Sequence, residues 1–156
     1  MSKRHDIKCA ASVCENDEIN TSRPTPKSKA LSKHMQGIGT KRTGVERRAR
    51  RVLRLEKLKF KGNVKSLSGS PDLVIADLGL AIFVNGCFWH GCPRCYKAPK
   101  HNRAWWNKKI AGNRRRDRRV ARKLRDQGYS VIHLWEHDSD SRMATRVRGA
   151  VSRVTT

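Results

Sequence analysis

Three cysteines within nine residues form the densest group of chemically distinctive side chains in the sequence. They are Cys87, Cys92 and Cys95. The Cys-x2-Cys spacing of the last two lets two thiolates reach one metal ion from a tight turn, and Cys87 can supply a third ligand. The alternative is that all three are reduced core cysteines without a metal.

A tetrahedral structural zinc site requires a fourth ligand, and His137 is the best candidate in the chain. Three other histidines remain alternatives, namely His90, His101 and His133. Because a site with four protein ligands has no open coordination position, the zinc is expected to stabilise the fold, and the chemistry must lie elsewhere.

Asp72 is the candidate for that chemistry, because it stands between Pro71 and an apolar strand. Mg²⁺ favours one or two carboxylates together with water and phosphate oxygens, so one well-placed Asp suffices when a strand-end carbonyl assists. Pro-Asp before a strand is also ordinary turn chemistry. If the neighbouring strand brings His90 close, its imidazole can accept a proton from an attacking water, and the pair could hydrolyse a phosphate ester.

The elements that must position these groups follow from hydrophobic periodicity. Residues 45–58 predict an amphipathic basic helix with Thr43 as its cap, so Glu46 also has a structural explanation as part of a capping box. Two short β-rich runs at 73–75 and 80–84 predict an antiparallel hairpin. A long helix over 102–127 and a third strand over 131–135 complete the pattern.

This order of elements predicts an α/β domain with a mixed sheet, because a helical crossover can return the last strand beside the hairpin. The 156 residues favour one folded domain at about 31–138. Residues 1–30 are interpreted as a disordered basic arm in which Cys9 and Cys14 have no role, and 139–156 as a basic C-terminal tail, frayed or weakly helical.

The charge balance points to a polyanionic partner. Lys and Arg number 36 against 13 Asp and Glu, which gives a formal net charge of +23. No long apolar run or lipidation motif is present, so nucleic acid is favoured over a membrane surface. Within the long helix, Arg114, Arg115 and Arg118 are expected to contact DNA phosphates.

The five cysteines occur without a secretory segment, which indicates a reducing compartment.

Taken together, these motifs resemble the very-short-patch (Vsr) endonucleases over about residues 31–138. The core of the resemblance is Gly-Cys-Phe-Trp-His at 86–90, which follows the strand that begins after Pro71 and Asp72. Further matching segments lie at 105–110, 113–119 and 135–137. The resemblance implies a restriction-endonuclease-like fold of the PD-(D/E)XK class with a structural zinc site. It also implies Mg²⁺-dependent nicking of duplex DNA 5′ to the thymine of a T:G mismatch.

Roles follow from the resemblance position by position. It implies that Asp72 and the Val84 carbonyl bind Mg²⁺, that His90 is the general base and that Glu46 supports the site. Among expected DNA contacts are Phe88 and Trp89, which wedge into the base stack unless they pack over the zinc loop, and Met35, which enters from the other side of the duplex. Asn85 stands where some members have a histidine, so it could bind phosphate but cannot exchange protons near neutral pH.

The resemblance also implies a biological setting. Family members repair mismatches that arise from deaminated 5-methylcytosine, which implies a monomer in the bacterial cytoplasm, associated with the nucleoid and linked functionally to a cytosine-5 DNA methyltransferase. Two alternatives remain open. One is a structure-directed or weakly specific nickase of the same fold, and the other is a non-catalytic, zinc-containing DNA-binding protein.

Overall fold

The computed structural model describes residues 43–156, so the expected arm at 1–30 and Met35 lie outside the described residues. The helices are α1 (Gly44–Leu55), α2 (Arg103–Asp126) and α3 (Asp140–Thr155), and the strands are β1 (Lys61–Gly62), β2 (Leu73–Ile75), β3 (Leu80–Asn85) and β4 (Ser130–Trp135). None of the helices in this described part is long and apolar enough to cross a membrane.

The four strands form one sheet in the order β1-β2-β3-β4. The predicted hairpin is confirmed, with Leu73 opposite Ile82 and Ile75 opposite Leu80 in antiparallel register. A short 3-10 helix joins the two strands, and Gly79 closes it at φ 55°, a left-handed conformation that glycine adopts without steric cost. The hairpin therefore places the start of β2 beside the end of β3.

The last strand returns parallel to β3, as the sequence pattern predicts. Val84 faces Leu134 and Asn85 faces Trp135 across this pair. A parallel pair requires a long connection, and α2 provides it as one continuous helix of 24 residues. The prediction of a mixed sheet flanked by helices is confirmed.

The main core lies between α1, α3 and one face of the sheet. Its buried strand residues are Leu73, Ile75, Leu80, Ile82 and Leu134. Helix α1 starts as predicted, because the Thr43 hydroxyl accepts a hydrogen bond from the Glu46 N–H at 3.3 Å. Side chains alternate between the two faces of the sheet, so the buried Val74 and Ala81 face the other side, which α2 covers.

The interpretation of residues 139–156 as a tail is wrong, because they form α3 and contribute to the core. Met143, Val147 and Ala150 recur at helical spacing and are buried against α1 and the sheet. Ser139 caps the helix by accepting a hydrogen bond from the Arg142 N–H at 3.3 Å. The apolar stripe is narrow and lies among many arginines, so it is difficult to recognise in the sequence. The folded domain therefore includes α3 and does not end at residue 138.

Candidate active site and metal centre

Asp72 occupies the predicted position, directly before β2 and beside the end of β3. Its Oδ2 accepts a hydrogen bond of 2.8 Å from the Val84 N–H, so the carboxylate is fixed at the end of the hairpin. Burial and the charge of Glu46 raise the pKa of Asp72, and the net shift is upward although the Val84 hydrogen bond and the charges of His90 and Arg50 oppose it. A cation bound here would stabilise the ionised form.

Glu46 brings a second carboxylate to this region from α1. The residue is 4 % exposed, and its Oε1 accepts hydrogen bonds from Arg50 Nε at 3.2 Å and Arg50 Nη2 at 2.7 Å. The Glu46 charge acts on Asp72, so the two carboxylates share one electrostatic environment. Its place beside Asp72 suits the supporting role implied by the resemblance, which stays a prediction.

His90 lies in the loop after β3, and its Nδ1 is 2.7 Å from Asp117 Oδ2 on α2. Burial alone would raise the pKa of Asp117, but the hydrogen bond and charge of His90, together with Arg116, lower it below its usual value. An ionised Asp117 accepts the Nδ1–H of His90 and leaves Nε2 as the proton acceptor. The charge of His90 also acts on Asp72.

Asn85 is 5 % exposed and forms a contact that sequence reasoning missed. Its Nδ2 is 3.1 Å from Nδ1 of His133 on β4, and the His133 ring stacks on Phe83 at 5.6 Å between centroids. Burial lowers the pKa of His133, which keeps the ring neutral, so Nδ1 can accept the hydrogen bond from the Asn85 amide. Phosphate binding by Asn85 stays a prediction.

Asp117 is not among the predicted site residues, and His133 is predicted only as an alternative metal ligand, whereas the cluster contains His137. Asp117 carries a sequence signal, because it is the single acid within the arginine-rich run 114–119. The partnership of His133 depends on the parallel register of β3 and β4, which places it opposite Phe83.

The predicted metal ligands come together in three dimensions. Potential donor atoms of Cys87, Cys92, Cys95 and His137 all lie within 4.8 Å of one another. Nδ1 of His137 is 3.2 Å from Cys87 Sγ and 3.5 Å from Cys92 Sγ. Three thiols and one imidazole are the donor set that suits tetrahedral structural zinc, so these residues fit that ion.

The surroundings of the cluster favour the thiolate form of Cys92 and disfavour that of Cys87 in the absence of a metal ion. Burial opposes ionisation of Cys92, but hydrogen bonds from the backbone N–H groups of Arg94 and Cys95 lower its pKa below the usual value. Burial raises the pKa of Cys87 to about 12. Glu136 accepts a hydrogen bond from the Cys87 N–H at 2.9 Å, which holds the cysteine loop against the end of β4.

Phe88 and Trp89 belong to an aromatic cluster at the start of α2. Phe88 lies 5.3 Å from Trp89 and 5.0 Å from Trp106, and Tyr96 of the cysteine loop is 5.9 Å from Phe88. Both residues are half-buried, so each presents part of its ring to solvent. Wedging into a base stack stays a prediction.

The three predicted phosphate contacts on α2 differ in their surroundings. Arg114 donates from Nε to the Gly91 carbonyl at 3.0 Å, and its guanidinium lies 5.9 Å from the centre of the Tyr96 ring. It therefore holds the cysteine loop against α2. Arg115 and Arg118 are exposed. These two side chains are available to a ligand on the α2 surface.

Comparison with known proteins assigns this chain to a family. The profile described as DNA mismatch endonuclease Vsr matches residues 25–97. The chain is 38% identical over 107 residues to the DNA mismatch endonuclease Vsr of Escherichia coli strain K12, covering 67% of this chain and 68% of that protein.

Two further relatives carry the name of nicking enzymes. Type II nicking enzyme V.XorIIP of Xanthomonas oryzae is 38% identical, over 65% of this chain and 76% of its own length. Type II nicking enzyme V.NmeAIP of Neisseria meningitidis is 33% identical, over 73% and 82%. The class of protein that these matches define is the DNA endonucleases. Within that class, the chain belongs to the Vsr family.

Proposed function

We propose that this protein is a Mg²⁺-dependent mismatch endonuclease that nicks one DNA strand 5′ to the thymine of a T:G pair. The observation that carries the proposal is the position of Asp72. Its carboxylate is fixed by the Val84 N–H, is partly desolvated and lies in the field of His90 and Glu46. Membership of the Vsr family and the net charge of +23 support DNA as the substrate.

The residues suited to hold Mg²⁺ are Asp72 and the backbone carbonyl of Val84. The ion would supply Lewis-acid polarisation of the scissile phosphate. His90 takes the role of general base, because the Asp117 carboxylate holds its Nδ1–H and leaves Nε2 to accept a proton from water. Glu46 adds negative charge beside the metal ligand.

Recognition of the mismatch is assigned to aromatic and basic side chains. Phe88 and Trp89 are half-buried beside the cysteine loop, and wedging them between bases costs least where pairing is already weak. Arg115 and Arg118 contact phosphates, while Arg114 contributes by holding the loop. Met35 and Asn85 complete the proposed set of DNA contacts.

Zinc at Cys87, Cys92, Cys95 and His137 is proposed as structural, because it would tie the loop after β3 to the end of β4. The sheet and its terminal carboxylate are assigned to the PD-(D/E)XK class. We place the protein as a monomer in the bacterial cytoplasm, near the nucleoid, in repair of deaminated 5-methylcytosine next to a cytosine-5 methyltransferase.

The test is a strand-cleavage assay with Mg²⁺ and three labelled duplexes, namely one with a single T:G pair, its matched counterpart and a flapped duplex. We expect wild type to nick the T:G duplex 5′ to the thymine, and Asp72→Ala to bind it without cutting. Asp126→Ala, an exposed carboxylate on α2, is the matched control and should cut normally.

Two results would refute the proposal in different ways. Equal cutting of all three duplexes would point to the weakly specific or structure-directed nickase. Absence of any Mg²⁺-dependent nicking by protein that holds zinc and binds DNA would point to the non-catalytic binding protein.

A further inference from the structure

Asp138 is a fully buried carboxyl group directly after the candidate zinc ligand His137. Its exposure is 0 %, and Oδ2 accepts a hydrogen bond from the Trp135 N–H at 3.0 Å. Within residues 43–156, its Oδ1 has no hydrogen-bond partner, and neither does the buried Nε2 of His137. These two atoms are 3.6 Å apart.

Buried polar atoms rarely lack a hydrogen bond in a folded protein, even where a charged group lies nearby. Nδ1 of His137 faces the sulfur atoms of Cys87 and Cys92. With a metal ion bound at Nδ1, the ring proton is on Nε2, so Nε2 is a donor and Asp138 Oδ1 is an acceptor. Their separation exceeds a normal N–H···O distance by less than about 1 Å. A displacement of less than about 1 Å would bring the two atoms within hydrogen-bond distance.

We infer that Asp138 is a positioning residue of the metal centre, whose Oδ1 accepts the Nε2–H of His137 and thereby holds Nδ1 toward the metal. This inference rests on the proposed zinc site. The pairing fixes the tautomer and the ring plane of His137, as carboxylates commonly do for metal-bound histidines. It also connects the metal centre to α3.

The surroundings of Asp138 hold it in place for this task. Arg142 Nε lies 3.4 Å from Oδ1, and Arg146 Nε lies 3.3 Å from Oδ2, so the first two turns of α3 balance the buried charge. Arg48 of α1 donates to the Asp138 backbone carbonyl at 2.5 Å. Arg142 and Arg146 of α3 therefore fix the carboxylate of Asp138, while Arg48 of α1 contacts only its backbone.

Asp140 offers a matched control two residues further along the chain. Its carboxylate pairs with Arg48 at 2.8 Å and with Arg51, and it is not a member of the metal cluster. Asp138→Asn and Asp140→Asn remove the same charge from the same segment. In Asp138→Asn, one side-chain oxygen remains to serve both the Trp135 N–H and the His137 ring.

The first measurement is zinc affinity, by competition with a chromophoric chelator, on full-length proteins whose fold is verified by circular dichroism. We expect Asp138→Asn to bind zinc about 10- to 100-fold more weakly than wild type and Asp140→Asn to match wild type. Equal affinity in folded Asp138→Asn would overturn the inference while leaving the zinc site intact. A wild type that holds no zinc would overturn both.

A second measurement needs no variant and covers the case in which Asp138→Asn does not fold. In zinc-loaded wild type with ¹⁵N-labelled histidine, long-range ¹H–¹⁵N spectra report which nitrogen of His137 binds the metal. We expect a metal-bound Nδ1 and a slowly exchanging Nε2–H. Coordination through Nε2, or a freely exchanging Nε2–H, contradicts the inference.

Discussion

The Asp72 carboxylate is placed where its ionised form is costly for folding and useful for metal binding. Burial and the neighbouring Glu46 raise its pKa, and only part of this effect is offset by the Val84 hydrogen bond. Functional sites commonly contain groups that are held against their own preference for solvent. At this residue, stability and catalysis are therefore expected to conflict.

This conflict predicts that Asp72→Asn is more stable than wild type at pH 7 without Mg²⁺ and is inactive. Because the folded-state pKa of Asp72 is raised, its contribution to stability is present below the unfolded pKa and is lost as pH rises through the folded pKa. The neutral amide avoids that loss. Thermal unfolding at pH 7 should show a higher Tm for the variant, and the difference should vanish near the ordinary carboxyl pKa.

The loss of activity in Asp72→Asn should reach about 10³-fold or more, since a metal ligand contributes several kcal/mol to the transition state. The cleavage assay with the T:G duplex measures it. A variant of unchanged Tm at pH 7, or one that cuts at the wild-type rate, would contradict the electrostatic description of this residue.

The His90–Asp117 pair leads to a separate kinetic prediction. Asp117→Asn removes the charge that holds the Nδ1–H of His90, so the single-turnover cleavage rate should fall by about 10²-fold or more. DNA affinity should stay within twofold of wild type, because the pair orients a base and does not hold the substrate. Asp126→Asn on the same helix is the control, and a parallel loss in both variants would indicate a general effect of charge.

Local spacing located the residues that act within one turn or one hairpin. Cys92 and Cys95 could be assigned from ligand spacing, and pairing of the two strands predicted the position of Asp72 beside Val84. Contacts of Asp117 with His90, and of His133 with Asn85, join residues 27 and 48 positions apart. They depend on how α2 and β4 pack, which no local pattern specifies.

At the scale of elements, α3 combines two tasks that its sequence conceals. Its narrow apolar stripe fills the core beside α1, while its first turns hold Asp138 next to the candidate metal ligand His137. Arginines on the remaining faces make the segment look like a solvated tail. Only the packing of α1 against it reveals the stripe as core.

Met143→Ala tests the structural task of α3. The side chain is fully buried, so its removal should lower the free energy of unfolding by about 2–5 kcal/mol. Ser152→Ala, at an exposed position of the same helix, should change it by less than about 0.5 kcal/mol. Urea unfolding measures both, and equal stability of the two variants would be incompatible with α3 as part of the core.

For the whole molecule, the net charge is +23, and among residues 43–156 exposed basic side chains lie on helices on both sides of the sheet. Exposed arginines line α2, and others, such as Arg148, lie on α3, where Arg148 pairs with Glu56 at 2.7 Å. If DNA lies along α2, the two groups of charges have different effects on binding. The basic composition predicted a polyanionic ligand. Only the fold shows that the arginines of α2 and those of α3 belong to different surfaces.

We expect DNA affinity to fall steeply with salt, with Arg115→Gln and Arg118→Gln each reducing the slope of log Kd against log salt by about 1. A variant that makes one phosphate contact fewer releases about one counterion fewer when it binds DNA. Arg148→Gln on α3 should leave the slope unchanged. Fluorescence anisotropy over a salt series measures these slopes, and an equal reduction in all three variants would place the duplex elsewhere.

The parallel pairing of β3 with β4 also determines when the candidate metal cluster can form during synthesis, because His137 follows β4. Cys87 leaves the ribosome 50 residues before His137. At a translation rate of about 5–20 residues per second, the thiols wait roughly 3–10 s for their imidazole partner. We therefore expect the yield of native protein to fall when synthesis takes place under oxidising conditions, because the thiols can be oxidised before the metal cluster is complete.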